Sequence, residues 1–246
     1  MATIDLNSDV GESFGRWTLG DDGAMLSIVT SANIACGFHA GDPSTLSETT
    51  RTAVAHGVSI GAQVSYRDLA GFGRRFVDAS RRELTDDIVY QIGALQGIAA
   101  AAGGWVTYVK PHGALYHDML SQPETFKALL QVAKDCALKL MVPAGATTDP
   151  MREQAAHVGV DLLFEAFADR RYTRHKTLLA RSQPGAVLSQ SEMLNQARRL
   201  MTEGRIISDC GTAINLQAQT LCVHGDSPSA LAALTELRDL VDHCVN

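Results

Sequence analysis

The sequence predicts an α/β protein built on a closed or nearly closed parallel barrel. Short apolar runs alternate with amphipathic helical stretches along the chain, which implies a parallel sheet with crossover helices. The chain has 246 residues and no linker or low-complexity segment. Seven or so βα units in that length suit a barrel better than two doubly wound domains, and a single domain over residues 1–246 is expected. Polar groups also gather just after the strands, on the side where ligands bind in such folds. A Rossmann-like open sheet is the alternative.

The elements follow in order. Residues 2–6 read as a first strand, ending in Asn7-Ser8-Asp9-Val10-Gly11-Glu12, with Gly11 and Gly15 opening a loop. A short helix fits 22–28. Residues 31–35 form a buried strand that runs into the Gly-bent loop of Gly37 and Gly41. Asp42 as N-cap and Pro43 at the first helical position then start a helix over 44–56, stopped by Gly57. A strand over 58–62 leads into a long loop over 63–75, of the length that functional lids have. The clearest helix is 81–102, with Leu84, Ile88, Ile92 and Leu95 on one face. A strand over 106–109 ends in Lys110-Pro111-His112-Gly113. A helix over 124–137 buries Phe126, Leu129, Leu130 and Ala133. Strand 139–142, helix 149–158 and strand 161–164 follow, the last ending in 165–172. Helix 189–203, strand 220–223 ending in His224-Gly225-Asp226, and helix 229–241 complete the chain.

Composition narrows the class. The net charge is −6, and no basic block suggests a nucleic-acid surface. The five cysteines are scattered with no Cys-x-x-Cys pair, which excludes zinc-ribbon and thioredoxin-like readings and suits a reducing compartment. No signal-peptide pattern opens the chain, and no apolar run reaches the roughly 20 residues that span a bilayer. A cytoplasmic protein is expected. There is no Gly-x-x-x-x-Gly-Lys-Ser/Thr loop for nucleotide phosphates and no Gly-x-Ser-x-Gly elbow for a hydrolase serine.

The strand ends carry the chemistry. Asp9 and Glu12, His39 and Asp42, Lys110 and His112, Asp169 and Arg170, and His224 and Asp226 each follow a strand. In a barrel these ends converge on one face, so one shared site explains all five. Asp42 and Asp226 also fit as helix caps. Arg74 and Arg75 fit a solvated loop, although Gly71 and Gly73 beside them suggest close backbone approach. His56, His157, His175 and His243 read as structural or surface residues, and His117 fits either class. The Asp/His mixture suits Mg²⁺ or Zn²⁺, but no His-x-x-x-His pair marks out a metal site.

These motifs, taken together, resemble the LamB/YcsF family, described as the A subunits of prokaryotic 5-oxoprolinases. The resemblance rests on Asp5 to Gly15, Ala32 to Pro43, Gly71-Phe72-Gly73-Arg74-Arg75, Val109 to Tyr116, Glu165 to Tyr172, Pro184-Gly185-Ala186-Val187 and Cys222 to Asp226, in order along nearly the whole chain. It implies a seven-stranded (β/α) TIM-like barrel of the glycoside hydrolase/deacetylase type. It also implies ATP-dependent opening of 5-oxo-L-proline to L-glutamate, with ATP and Mg²⁺ as cosubstrate and separate B and C subunits as partners.

On that resemblance, Asp9 or His112 would be the general base, and Lys110 and Arg74 the cations near phosphoryl charge. Glu12, His39 and Asp42 would orient substrate or water. Arg75 or Arg170 would fork the substrate carboxylate. Asn7, Asp169, His224 and Asp226 would complete substrate binding. One departure stands out: Gly61-Ala62-Gln63-Val64-Ser65 appears where the family pattern has a His in the third position. In related barrel deacetylases that His helps hold a metal, and Asp9 and His112 would be its partners here. Gln63 is a poor substitute for an imidazole ligand. A metal-dependent hydrolase or deacetylase acting on a small amide or sugar, and a non-catalytic member of a complex, are the two alternative readings.

Overall fold

The computed structural model describes residues 4–223 and 228–243. The expected site residues His224 and Asp226 lie outside the described residues. The strands are β1 (Asp5–Val10), β2 (Ser31–Ala35), β3 (Ser59–Val64), β4 (Val106–Pro111), β5 (Lys139–Pro143), β6 (Leu162–Phe167), β7 (Arg205–Ile207), β8 (Ala213–Asn215) and β9 (Thr220–Cys222). Seven of them, β1 to β6 and β9, run parallel and close a barrel, with β9 paired to both β6 and β1. The helices are α1 (Asp22–Leu26), α2 (Pro43–Ala55), α3 (Arg81–Ala101), α4 (Gly113–Ser121), α5 (Pro123–Asp135), α6 (Thr148–Val158), α7 (Gln190–Glu203) and α8 (Pro228–His243).

Between α7 and β9, strands β7 and β8 form an antiparallel hairpin outside the barrel. Nothing in the sequence signals this hairpin, because its strands are only three residues long. Helix α4 likewise occupies a stretch without helical signals. It starts directly after β4, with no side-chain cap, so the usual start signal is missing.

Several strands run further than their apolar stretches. β1 extends to Val10, β3 to Val64, β4 to Pro111 and β6 to Phe167, so Asn7, Asp9, Gln63, Lys110 and Glu165 belong to the sheet and not to loops after it. The reason lies in the two faces of the barrel wall. Its outer face carries the core: Leu6, Ile34, Val64, Val109 and Leu140 are buried together with Ile88, Ile92 and Leu95 of α3 and Leu129 of α5. Its inner face is polar. Tyr108 of β4 donates to Asn33 Oδ1 of β2 across the interior (2.7 Å), and Lys110 of β4 reaches β1, β6 and β9. An apolar-run criterion therefore stops β3, β4 and β6 at the inward Gln63, Lys110 and Glu165.

Helix starts follow their caps. Asp42 accepts from Ser44 N and Thr45 N with Pro43 in the first turn, while Ser80 with Glu83 and Ser189 with Glu192 form capping boxes. The stretch 63–75 is not a free lid. Leu69–Gly71 is a single 3-10 turn, capped by Asp68, whose carboxylate also holds the Arg75 guanidinium and backbone. Phe72 follows in the left-handed region (φ 55°), and Gly73 packs where a Cβ would meet His39 and His112.

Gly61 marks a close approach inside the barrel. A Cβ there would overlap the ring of Tyr108, which is 2 % exposed and fills the place of the missing side chain. Gly61→Ala is therefore expected to cost about 3 kcal/mol, read from urea denaturation. Gly57→Ala, also a change of glycine but facing open space at φ 67°, is expected to cost only about 1 kcal/mol. Equal costs at the two positions would refute this packing account.

Candidate active site

The site grows out of the inner face of the barrel near its C-terminal mouth. Alternation along β1 turns Asn7 and Asp9 inward, and pairing with β2 sets Asp9 level with Asn33. Asn33 Nδ2 donates to Asn7 Oδ1 and to Asp9 Oδ1, both at 2.8 Å. Asn7 is fully buried and donates to Thr220 Oγ1, so it belongs to the scaffold beneath the site.

Lys110 projects from β4 into the same layer. Its ammonium donates to Asp9 Oδ1 (2.9 Å), Glu165 Oε1 (2.7 Å) and Cys222 Sγ (3.5 Å). Tyr116 at the start of α4 donates to the other Glu165 oxygen at 2.8 Å. Burial alone would push the Lys110 ammonium toward its neutral form. The adjacent carboxylates of Asp9 and Glu165 outweigh burial and hold its pKa well above the ordinary lysine value. Burial raises the Cys222 thiol well above its usual value, so it contributes a neutral neighbour.

A second layer lies beside this one. His39, from the loop after β2, and His112, at the end of β4, stack ring on ring at 4.0 Å and 12°. Gln63 of β3 joins them: its Oε1 is 3.2 Å from His39 Nε2 and its Nε2 is 3.0 Å from His112 Nδ1. His112 Nε2 donates to the Phe72 carbonyl at 3.0 Å. The Glu12 carboxylate lies 3.8 Å from His39 Nε2 and 3.9 Å from His112 Nδ1. Burial lowers both imidazole pKa values from 6.5 to about 4; each ring's charge is also favoured by Asp9, and His112's is opposed by His39.

A cavity of about 790 Å³ opens over both layers. Asp9, Glu12, Arg74, Lys110, His112 and Arg170 line it, six of the residues expected from the sequence. His39 is stacked against His112. The remaining expected residues have other roles. Asp42 caps α2 and also accepts from Gly15 N at 2.6 Å. Arg75 is paired with Asp68, outside the cavity lining. Asp169 follows β6 but is not among the cavity-lining residues. Arg170 lines the cavity, yet its Nη2 and Nε donate to the carbonyls of Leu179 and Ala186, and burial lowers its pKa.

Sequence reasoning missed Glu165, Tyr116 and Arg181. Glu165 carried a usable signal, since it is a lone acid inside the apolar run of β6. His117, which fits either class in the sequence, also lines the cavity, and its pKa is lowered by burial and by Arg170. Three His, Cys, Asp or Glu side chains come close enough to share a metal among the described residues, namely Glu12, His39 and His112. Asp9, the metal ligand expected with His112, is instead bonded to Lys110 and Asn33.

The histidine pair sets a pH dependence. Between about 6.5 and about 4 an unfolded imidazole binds a proton that the folded ring excludes. Stability from this source is complete above the unfolded value and is lost as pH falls through that window, by on the order of 3 kcal/mol per ring. The melting temperature of the wild type is expected to fall more steeply across this window than that of a His39→Asn/His112→Asn variant. Parallel slopes would assign the acid loss to other groups.

The chain is similar to several known proteins over nearly its whole length. It is 50% identical over 245 residues to the 5-oxoprolinase A subunit 3 of Pseudomonas syringae pv. tomato, covering 98% of this chain and 94% of that protein. It is 50% identical over 242 residues to the 5-oxoprolinase A subunit of Mycobacterium avium, covering 97% and 95%. Its fold superposes on the crystal structure of a lactam utilization protein from Thermus thermophilus with a TM-score of 0.92, at 37% identity over 99% of this chain and 98% of that one. Residues 4–245 match the LamB/YcsF family model, and with the barrel and its polar mouth in place, the chain belongs to the LamB/YcsF family.

Proposed function

We propose that this chain is the A subunit of a 5-oxoprolinase and opens the lactam ring of 5-oxo-L-proline to L-glutamate, with ATP as cosubstrate and B and C subunits as partners. The observation that carries the reading is the Asp9–Lys110–Glu165 cluster facing a cation-rimmed cavity at the barrel mouth. The 50% identity to 5-oxoprolinase A subunits over nearly the whole chain supports it.

A five-membered lactam is an unactivated amide. Transfer of the γ-phosphoryl group to the lactam oxygen makes the carbon electrophilic and the ring nitrogen a better leaving group. Water adds to that carbon, and the C–N bond breaks as nitrogen gains a proton. Hydrolysis of the remaining acyl phosphate then gives glutamate and phosphate. Asp9 is the residue positioned to take the water's proton. Its Oδ1 is engaged by Lys110 and Asn33, which fixes the carboxylate at the cavity wall. His112 is less suited to that role, because both ring nitrogens already have partners. Lys110 brings positive charge beside the reacting centre, with Glu165 and Tyr116 orienting it. Arg74 and Arg181 at the cavity wall supply cations for the substrate carboxylate and phosphoryl group. ATP enters with Mg²⁺. The chain carries no Walker-type loop, so its nucleotide site is either non-standard or completed by a partner.

A metal-dependent hydrolase is the second reading, favoured by the Glu12, His39 and His112 grouping alone.

Glutamate release from 5-oxoproline is the direct test. It is expected only with this chain, its B and C partners and ATP together. Release by this chain alone without ATP, abolished by chelation, would favour the second reading. Asp9→Asn, folded, is expected to lower turnover by about 10²–10⁴-fold in the reconstituted complex, and full turnover would remove Asp9 from the chemistry. Lys110→Met leaves the fully buried Glu165 carboxylate facing the part-buried Asp9 carboxylate and is expected to destabilise the chain by about 3 kcal/mol in a denaturation experiment.

A further inference from the structure

The histidines beside the cavity offer the donor set of a metal centre, but their hydrogen bonds are arranged for something else. Glu12, His39 and His112 bring one oxygen and two imidazole nitrogens within 4.8 Å of one another. The nitrogens facing Glu12 are His39 Nε2 and His112 Nδ1. These are the same two atoms that Gln63 engages.

The direction of every bond follows from one fixed end. The Phe72 carbonyl can only accept, so His112 Nε2 carries the hydrogen between them. A neutral His112 then has a bare Nδ1, which accepts from the Gln63 amide N–H. The amide oxygen is turned toward His39 and accepts from His39 Nε2–H. Reversing the chain would set a bare His112 Nε2 against the Phe72 carbonyl, lone pair to lone pair. His39 Nε2 is therefore protonated where a metal would need its lone pair, and the His112 Nδ1 lone pair points into an amide hydrogen. A metal ion between these nitrogens would break both bonds and leave the amide of Gln63, itself fully buried, without partners. The donor types suit a metal, and their hydrogen bonds do not.

We propose that Gln63 is a positioning residue that stands in place of a metal ion, its side-chain amide holding His39 and His112 as neutral Nε2–H tautomers. The loop after β3 completes the device. Phe72 stands edge-on to both rings, and Gly73 at φ 67° lets the backbone lie against them. This role of Gln63 concerns the resting state of the side chains and does not depend on the oxoprolinase reading.

The test uses the full chain with Zn²⁺ or Mn²⁺ as the only additive. Bound metal is measured after equilibrium dialysis, and imidazole tautomers are read from long-range proton–nitrogen NMR spectra. The wild type is expected to bind less than one equivalent and to show both rings neutral with the proton on Nε2. Gln63→Glu keeps the shape, removes the N–H donor and adds a carboxylate. It is expected to bind one equivalent, about tenfold to a hundredfold tighter than any wild-type binding, and to lose it when Glu12→Gln is added. One tight equivalent in the wild type, removed by Glu12→Gln, would overturn the proposal. So would a His112 proton on Nδ1, or a folded Gln63→Glu with no gain in metal affinity. The wild-type spectrum needs no variant and decides the tautomers even if Gln63→Glu fails to fold.

Discussion

Lys110 brings an ammonium into the centre of the barrel, and much of the interior is arranged around it. A charge in that position would be neutralised by desolvation if it stood alone. Asp9 and Glu165 hold it from two other strands, and Asn33 and Tyr116 hold those carboxylates in turn. The contacts run between β4, β1 and β6, which are not neighbours in the sheet, so they exist only when the barrel is closed. Closure and the chemistry of the mouth are in this sense one feature. The same network explains why the barrel interior is polar while its outer wall carries the apolar core against the helices.

Beside that charged layer stands a neutral one. His39 and His112 are deeply buried and stacked, and Gln63 bridges one nitrogen of each ring without adding charge. The contrast is useful at a single cavity wall. Lys110 and Asp9 present fixed charge, while the histidines present fixed dipoles that do not titrate near neutral pH. The 71–75 glycine-rich turn seals the neutral layer from one side, using Asp68 and Arg75 as its own internal staple. Arg75 therefore contributes to the site by shaping the turn that presents the Phe72 carbonyl, and Arg74 next to it faces the cavity.

Local sequence determined a great deal. The alternation of apolar runs and helical stripes pointed to the barrel, and the buried faces of α3 and α5 could be named residue by residue. Asp42 and Pro43 announced the start of α2, because capping is a matter of adjacent residues. The clustering of polar groups after strands pointed to the end of the barrel where the cavity opens, and six of the named residues line that cavity. Short elements without caps, α4 and the β7–β8 hairpin, left no comparable mark.

The partners of those side chains were decided elsewhere. Pro43 marks Asp42 locally as a cap, but nothing local shows that Asp42 is also engaged by Gly15 or that Asp9 is engaged by a lysine about a hundred residues away. Arg75 and Arg74 are neighbours in sequence, yet one is bound by Asp68 and the other lines the cavity. In the sequence Glu165 is only an interruption of an apolar strand; closure sets it against Lys110 and Tyr116. Gln63 reads there as a missing ligand, and the fold sets an imidazole at each end of its amide. Periodicity and capping are written in residues a few positions apart, so local sequence suffices for elements and their faces. Hydrogen-bond partners and burial depend on which strands meet across the barrel, and only the closed tertiary structure brings those strands together.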